Sequence, residues 1–327
     1  MTVTKEPTAI IEIEDVAKHY PVSSGGLRLA AATVKAVDGV SLRVAPGETL
    51  CIVGESGCGK STVARLLMRL VEPTRGRITL RGVDVTHLGP AAMRPHRQHV
   101  QMVFQDPYAS LNPRLPARTI VGEPLENYGR LSRRERDEKV AALLERVGLR
   151  TDAANRYAFE FSGGQRQRLG IARALALDPG LIVADEAVSA LDVSVQAQVL
   201  NLLMDLQEER GIAYVFISHD LGVVEHIGHR VAVMYLGRIV EMADKAELFA
   251  RPLHPYTEAL IAAAPIPDPR AKRERIVLEG DIPSPITPPS GCHFHTRCPI
   301  AVARCSVEAP PLRAVDDGHT VACHLRG

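Results

Sequence analysis

The sequence predicts an α/β fold with a mostly parallel sheet, an added antiparallel β layer, a helical subdomain and a small cysteine-containing C-terminal extension. Three observations predict it. The apolar run Thr49 to Val53 leads through a glycine-rich loop into Thr62 to Leu70, whose apolar residues recur at helical spacing. After residue 180, short apolar strands alternate with helical segments, the pattern of a parallel sheet with helices on its faces. Between residues 120 and 177 the apolar period is helical throughout.

Taken in order, Ile11-Glu12-Ile13-Glu14 alternates as a half-buried strand, Tyr20 follows, and Ser23 to Gly26 reads as a loop. Ala36 to Val44 alternates again, and Ala45-Pro46-Gly47-Glu48 is a turn. These signals place a small β layer before the buried strand Thr49 to Val53. Arg77 to Leu80 and Val100 to Phe104 are short strands, and His87 and His96 to His99 between them read as a solvated face rather than a metal site. Ser132-Arg133-Arg134-Glu135 is a capping box, followed by the stripe Val140, Leu143, Leu144 and Val147 and closed by Gly148. Leu181 to Ala184 is apolar throughout, as in a strand covered on both faces. Val193 to Gln207 is a helix, and Ala213 to Ile217 and Val231 to Met234 are strands. Composition shifts after Arg251. Pro255 to Ala263 is a last helix, Pro265 to Pro269 a linker, and the proline-rich remainder is too poor in periodic apolar residues to fold well unaided.

The loop Gly54-Glu55-Ser56-Gly57-Cys58-Gly59-Lys60-Ser61 fits G-x-x-x-x-G-K-[ST] in its required strand–loop–helix context, which makes the core that of a P-loop NTPase. Its glycines let successive N–H groups converge on phosphate oxygens, and the helix start adds free N–H groups and a positive dipole end. Lys60 would reach the terminal phosphates and Ser61 would ligate Mg²⁺. Asp185 and Glu186 end the strand from Leu181, the first placed to hold Mg²⁺ and the second to orient or deprotonate water. Phe161-Ser162-Gly163-Gly164-Gln165 opens an arginine-rich helix and forms a second anion site by the same physics. One triphosphate needs one such cradle, so the second would serve another subunit's nucleotide.

The bulk numbers exclude little but point one way. At 327 residues the chain suits one full α/β domain plus something smaller, and a net charge of +1 implies no nucleic-acid partner. Met1 to Pro21 mixes charges among its apolar residues, unlike a signal peptide, and no apolar run of about 18 or more residues could span a bilayer. The expected location is the cytoplasm, with contact to a membrane protein left open.

The chain resembles, over essentially all its length, the ATPase subunits of ATP-binding cassette (ABC) transporters. The nearest likeness is to the oligopeptide/dipeptide importers, a group that also serves nickel. Gly54 to Ser61 matches the Walker A loop, Leu181 to Glu186 the Walker B strand, and Phe161 to Gln165 the signature motif, where leucine is commoner than Phe161. Ser189-Ala190-Leu191-Asp192 matches the D-loop, Gln105 the Q-loop glutamine, His219 the switch histidine and Tyr20 the aromatic that stacks on adenine. Asp106-Pro107 to Leu111-Asn112-Pro113-Arg114 is typical of the peptide branch. One departure is Ala187, where the family usually has proline; proline would stiffen the backbone leaving the strand, and its absence would loosen the approach to the D-loop. The resemblance implies a nucleotide-binding domain over 1–250, with its helical subdomain at about 105–177, and an extension over 251–327. It implies ATP held by Tyr20, Gly54, Glu55, Ser56, Gly57, Cys58, Gly59, Lys60, Ser61 and Thr62. Ser162, Gly163, Gly164 and Gln165 of a facing cassette would cap it. Ser61, Gln105 and Asp185 would serve Mg²⁺, and Glu186, His219 and Gln105 hydrolysis.

The implied assembly is a peripheral subunit at the cytoplasmic face of the cell membrane. Its partners would be a second ATPase, identical or paralogous, two integral permease subunits and, through them, an extracytoplasmic solute-binding protein. Oligopeptides or dipeptides are the expected cargo. Nickel or another small solute is the alternative, and a soluble ATP-driven clamp of the same superfamily a more distant one. Four cysteines, Cys292, Cys298, Cys305 and Cys323, are spaced C-x5-C-x6-C-x17-C. Four thiolates could bind zinc or an iron–sulfur cluster, though the tight pairs usual for zinc are absent. His293, His295, His319 and His324 could join a mixed zinc site, and free thiols or disulfides are the metal-free alternatives. Gly291 to Pro299 resembles the extension of the oligopeptide importer ATPases, some of which carry a [4Fe–4S] cluster, so a structural cluster on these cysteines is the expectation.

Overall fold

The computed structural model describes residues 9–22, 32–129, 131–264, 278–316 and 318–326. The expected loop at Ser23 to Gly26 and linker at Pro265 to Pro269 lie outside the described residues. The chain first makes β1 (Ile11–Val22), β2 (Ala32–Val44) and β3 (Thr49–Val53), then α1 (Lys60–Leu67), β4 (Arg75–Leu80), β5 (Val83–Asp84), α2 (Pro90–Arg97) and β6 (Val100–Val103). The helical subdomain follows as α3 (Pro107–Ser110), α4 (Ala117–Tyr128), α5 (Arg133–Arg146) and α6 (Gly163–Leu175). Next come β7 (Leu181–Asp185), α7 (Val193–Arg210), β8 (Ala213–Ile217), α8 (Leu221–Ile227), β9 (Arg230–Tyr235) and β10 (Arg238–Asp244). The chain closes with α9 (Lys245–Ala250), α10 (Pro255–Ala263), α11 (Ala303–Val307), β11 (Arg313–Asp316) and β12 (His319–Val321).

Two sheets organise these elements. The antiparallel layer has the order β2-β1-β4-β5, and the main sheet the order β11-β12-β10-β9-β3-β8-β7-β6. Within the main sheet β9, β3, β8, β7 and β6 run parallel, so their carboxyl ends share one edge. Strand alternation divides the core between the two faces of this sheet. Leu50 and Ile52 of β3 and Val215 and Ile217 of β8 face α1 and the antiparallel layer, whereas Cys51, Val53, Tyr214 and Phe216 face α6, α7 and α8. Helix α1 is thereby sandwiched under the β layer, with Val63, Ala64, Leu66 and Leu67 buried. The capping box at Ser132 forms as its spacing predicts, and Val140, Leu143 and Leu144 turn inward. His87 is exposed, while His96 to His99 are half-buried.

The C-terminal extension departs from expectation. It docks on the core through aromatic packing and strand pairing. Phe294 is fully buried against Tyr235, Tyr256 and His254, with ring centroids 5.2, 5.5 and 5.4 Å away. Strand β12 extends the main sheet by pairing with β10, and β11 pairs with β12. The buried Glu241 carboxylate accepts the N–H groups of Leu253 and His254, each at 2.8 Å, and lies 2.8 Å from His319 Nε2. One short polar centre thus ties the tail strand to the entry of α10.

The expected [4Fe–4S] cluster, and zinc with it, is overturned. Among the described residues no group of three or more histidine, cysteine, aspartate or glutamate side chains could hold a metal ion. Cys292, Cys298, Cys305 and Cys323 are free thiols. Burial drives the Cys292 thiol up to about 11 and also raises that of Cys298, so the neutral form is favoured. The neighbouring histidines are otherwise engaged: His293 with the Leu236 carbonyl, His295 with the Cys292 carbonyl, His319 with Glu241 and His324 with the Glu308 carbonyl. Aromatic packing and strand pairing order the tail.

Candidate nucleotide site

The carboxyl edge of the parallel strands carries the phosphate loop, Gln105, Asp185, Glu186 and His219. Strand β3 delivers Gly54 at φ +151°, and Gly59 at φ +108° opens α1. A Cβ at Gly54 would lie 2.2 Å from the Met234 carbonyl oxygen, and one at Gly59 2.0 Å from that of Ala36, so backbone packing itself demands glycine at both. No side chain caps α1, which leaves its first N–H groups facing the loop. The Lys60 ammonium is folded inward, donating to the carbonyls of Gly54 at 2.7 Å and Glu55 at 2.9 Å. Cys58 is buried beside it, its thiol raised by desolvation against the opposing pull of Lys60.

Two clusters stand beyond the loop. Ser61 Oγ donates to Asp185 Oδ1 at 3.1 Å, bringing two hard oxygen donors together as Mg²⁺ requires. Burial, with the Glu186 carboxylate adding to it, raises the Asp185 pKa, while the Ser61 hydroxyl lowers it. Glu186 Oε2 accepts a hydrogen bond from Gln105 Nε2 at 2.9 Å and lies 3.4 Å from His219 Nδ1. Glu186 is 19 % exposed and His219 59 %, so the carboxylate is shielded while the imidazole is open to a ligand. Glu186 itself has φ +48°, an uncommon conformation for a non-glycine residue, held by its N–H to the Ile217 carbonyl. Ser189 ties the following turn by donating its N–H and hydroxyl to the Glu186 carbonyl, at 3.1 and 2.9 Å. The D-loop approach therefore has its own fastening beside the buried Ala187.

A cleft of 310 Å³ lies over this array, lined by Ser56, Gly57, Gly59 to Thr62, Gln105 and Glu186 together with Val34, Ala36 and Pro285. Such a space can cradle a phosphate chain at the loop, a divalent ion at Ser61 and Asp185, and an attacking water near Glu186. A family model described as "ABC transporter" matches residues 37–189, and one described as "Oligopeptide/dipeptide transporter, C-terminal region" matches 240–305. A protein of Sinorhizobium fredii named "Probable peptide ABC transporter ATP-binding protein" is 63 % identical over 97 % of this chain and 90 % of its own length.

The chain belongs to the ATP-binding subunits of ABC transporters, in the oligopeptide/dipeptide branch.

The oligopeptide transport ATP-binding protein AppF of Bacillus subtilis is 55 % identical to this ABC ATPase over 99 % of both chains. Among solved structures, a dimeric post-hydrolysis ATP-binding cassette bound to ADP and Pi is 30 % identical, with a TM-score of 0.65 over 72 % of this chain and 98 % of that one. ATP hydrolysis is accordingly the activity of this ABC ATPase.

Several expected site residues do not line this cleft. Gly54, Glu55 and His219 line a neighbouring pocket, Asp185 lines the groove beside Gln105, and Cys58 is buried behind the loop. Ser162, Gly163, Gly164 and Gln165 are not among the lining residues, and neither is Tyr20, which pairs with the lining residue Val34 across β1 and β2. Sequence reasoning missed Val34, Ala36 and Pro285. It also missed the two residues that hold Glu55: Tyr256, whose Oη accepts the Glu55 N–H at 2.8 Å, and Arg297, paired with its carboxylate. Arg297 lies inside Gly291 to Pro299, a stretch whose cysteines and histidines carried the sequence reading. Among the described residues no helix is long and apolar enough to cross a membrane.

Proposed function

We propose that this ABC ATPase drives peptide uptake as one of two cassettes facing head to tail beneath a membrane permease. The observation that carries this reading is the division of the expected ATP contacts. Ser56, Gly57 and Gly59 to Thr62 share one cleft with Gln105 and Glu186, whereas none of the signature residues lines it. A cleft completed by the signature loop of a second cassette accounts for both facts. In this reading Lys60 leaves the carbonyls of Gly54 and Glu55 for the phosphates of ATP. Ser61 and Asp185 hold Mg²⁺, Glu186 polarises the attacking water, and His219 contacts the terminal phosphate. Gln105 links that phosphate to a groove of 670 Å³ that includes Phe104, Glu123, Tyr128 and Arg173, suited to a loop of the permease. Cargo identity is inferred from the peptide importers among the relatives and from the matched extension. The proposed location is the cytoplasmic face of the membrane.

Glu186→Gln should keep ATP bound and slow phosphate release from the assembled complex by about 10²-fold or more. A rate near wild type in that variant would remove Glu186 from the water-activating role. Affinity purification from detergent-solubilised membranes should retain integral membrane subunits and a second ABC ATPase. Recovery of soluble partners alone would favour the soluble clamp, and transport assays with di- and oligopeptides against nickel would identify the cargo.

A further inference from the structure

The C-terminal extension reaches the phosphate loop itself. Arg297 forms a bidentate pair with Glu55, Nη1 to Oε2 at 2.8 Å and Nη2 to Oε1 at 3.1 Å, across 242 residues of sequence. Arg297 is 7 % exposed and Glu55 26 %, so the pair is largely shielded from solvent. Glu55 is also held at its two backbone groups. Its N–H donates to Tyr256 Oη, and its carbonyl accepts from Lys60 Nζ. A second fastening lies alongside, where the Lys35 N–H donates to the Pro285 carbonyl at 3.1 Å and Pro285 lines the cleft.

The charge balance of the loop explains why such a pair belongs there. Glu55 places a carboxylate inside a loop that binds a polyanion. An unpaired carboxylate at that position repels each phosphate added, and partial burial weakens the solvent screening that would otherwise hide it. The planar fork of arginine cancels the charge and fixes the side chain at two points, which a lysine could not do. The tail pays no separate ordering cost for this contact, because Phe294, three residues earlier, is already locked among Tyr235, Tyr256 and His254.

We infer that Arg297 is a positioning residue for ATP binding, neutralising and orienting Glu55 so that the C-terminal extension sets the affinity of the phosphate loop for nucleoside triphosphates. This rests on the reading of Gly54 to Ser61 as the ATP cradle. The electrostatic role gives a signature that a merely structural brace lacks: breaking the same pair from its two ends has opposite effects. Arg297→Gln leaves a bare carboxylate near the phosphates, and Glu55→Gln leaves a bare guanidinium.

The test measures binding of Mg·AMP-PNP, Mg·ADP and AMP to the full chain by calorimetry, with thermal unfolding run alongside. Arg297→Gln should raise the Kd for Mg·AMP-PNP by about five- to ten-fold, with a smaller change for ADP and least for AMP, and raised salt should shrink the difference. Glu55→Gln should lower that Kd by about two-fold, the double variant should fall between, and Arg297→Lys should recover part of the loss. If Arg297→Gln does not fold, Arg297→Lys and Glu55→Gln still carry the test through the direction of their shifts. Weakening of equal size by both single glutamine variants, a penalty independent of phosphate number, or no change in any variant overturns the inference. Failure of the wild-type chain to bind Mg·AMP-PNP would instead sink the ATP-cradle reading beneath it.

Discussion

Two glycine-rich loops open helices in this ABC ATPase, and they are built differently. The loop before α1 ends in Gly59, which offers no side-chain cap, so the helix begins with unclaimed N–H groups. The loop before α6 is capped by its own residues: Ser162 Oγ accepts the Gln165 N–H at 3.4 Å and Gln165 Oε1 accepts the Ser162 N–H at 3.1 Å. Close packing separates them as well. A Cβ at Gly59 would strike backbone, one at Gly164 would meet the Val195 side chain at 2.3 Å, and one at Gly163 would find Leu191 only at 4.0 Å. The same residue types therefore make a rigid cradle in one place and a self-satisfied helix start in the other. The first helix start has no side-chain cap on its N–H groups, whereas the second engages its own in a capping box.

The contrast can be broken experimentally. Gly59→Ala should have the largest effect, on the order of 4 kcal/mol or more of stability together with loss of nucleotide binding, because a backbone carbonyl and a positive φ both oppose the methyl group. Urea unfolding and calorimetry check it, and a mild variant would mean the loop is softer than its packing implies.

The phosphate loop also has a titratable support in His254. His254 caps α10 by accepting the Tyr256 N–H at 3.1 Å, and Tyr256 in turn holds Glu55. Burial drives the His254 pKa down to about 3, from 6.5 in the unfolded chain. The unfolded chain thus binds the extra proton first as pH falls. The His254 contribution is complete above pH 6.5 and erodes between 6.5 and about 3 at roughly 1.4 kcal/mol per pH unit. His254→Asn should flatten the dependence of the urea midpoint on pH in that window, and an unchanged slope would relieve His254 of the role.

The signature loop should respond more gently. Ser162→Ala should cost about 1 kcal/mol of stability through loss of the cap and slow turnover of the paired cassettes, read by urea unfolding and by phosphate release from the assembled complex. Gly163→Ala should stay within about 0.5 kcal/mol of wild type in stability. A penalty at Gly163 as large as that at Gly59 would erase the distinction between the loops.

Much of this arrangement was legible before any coordinates. The boundaries Thr49–Val53, Ala213–Ile217 and Pro255–Ala263 read from the sequence match the observed elements residue for residue. Buried parallel strands and a proline-started helix declare themselves in a handful of consecutive residues. The phosphate loop was equally plain, as was the Asp185–Glu186 step, because each is a local run whose neighbours dictate its geometry. Strand β10 and the pair β11–β12 were missed, since their alternation is short and becomes meaningful only when the main sheet supplies an edge.

The tail shows most clearly where sequence reasoning stops. The resemblance of Gly291 to Pro299 to the importer extension implied a cluster, yet the packing observed there rests on one phenylalanine among aromatics and on a buried glutamate that meets His319. By itself the sequence determined the nucleotide-binding core, its strand-to-loop chemistry and the family. Tertiary structure alone decided that Phe294 locks into an aromatic cluster, that Pro285 reaches the cleft and that Arg297 meets Glu55. The physical reason is range. Helix caps, turns and strand periods are settled by residues a few positions apart, while an ion pair spanning 242 residues exists only once a sheet and a packed aromatic core have brought its ends together.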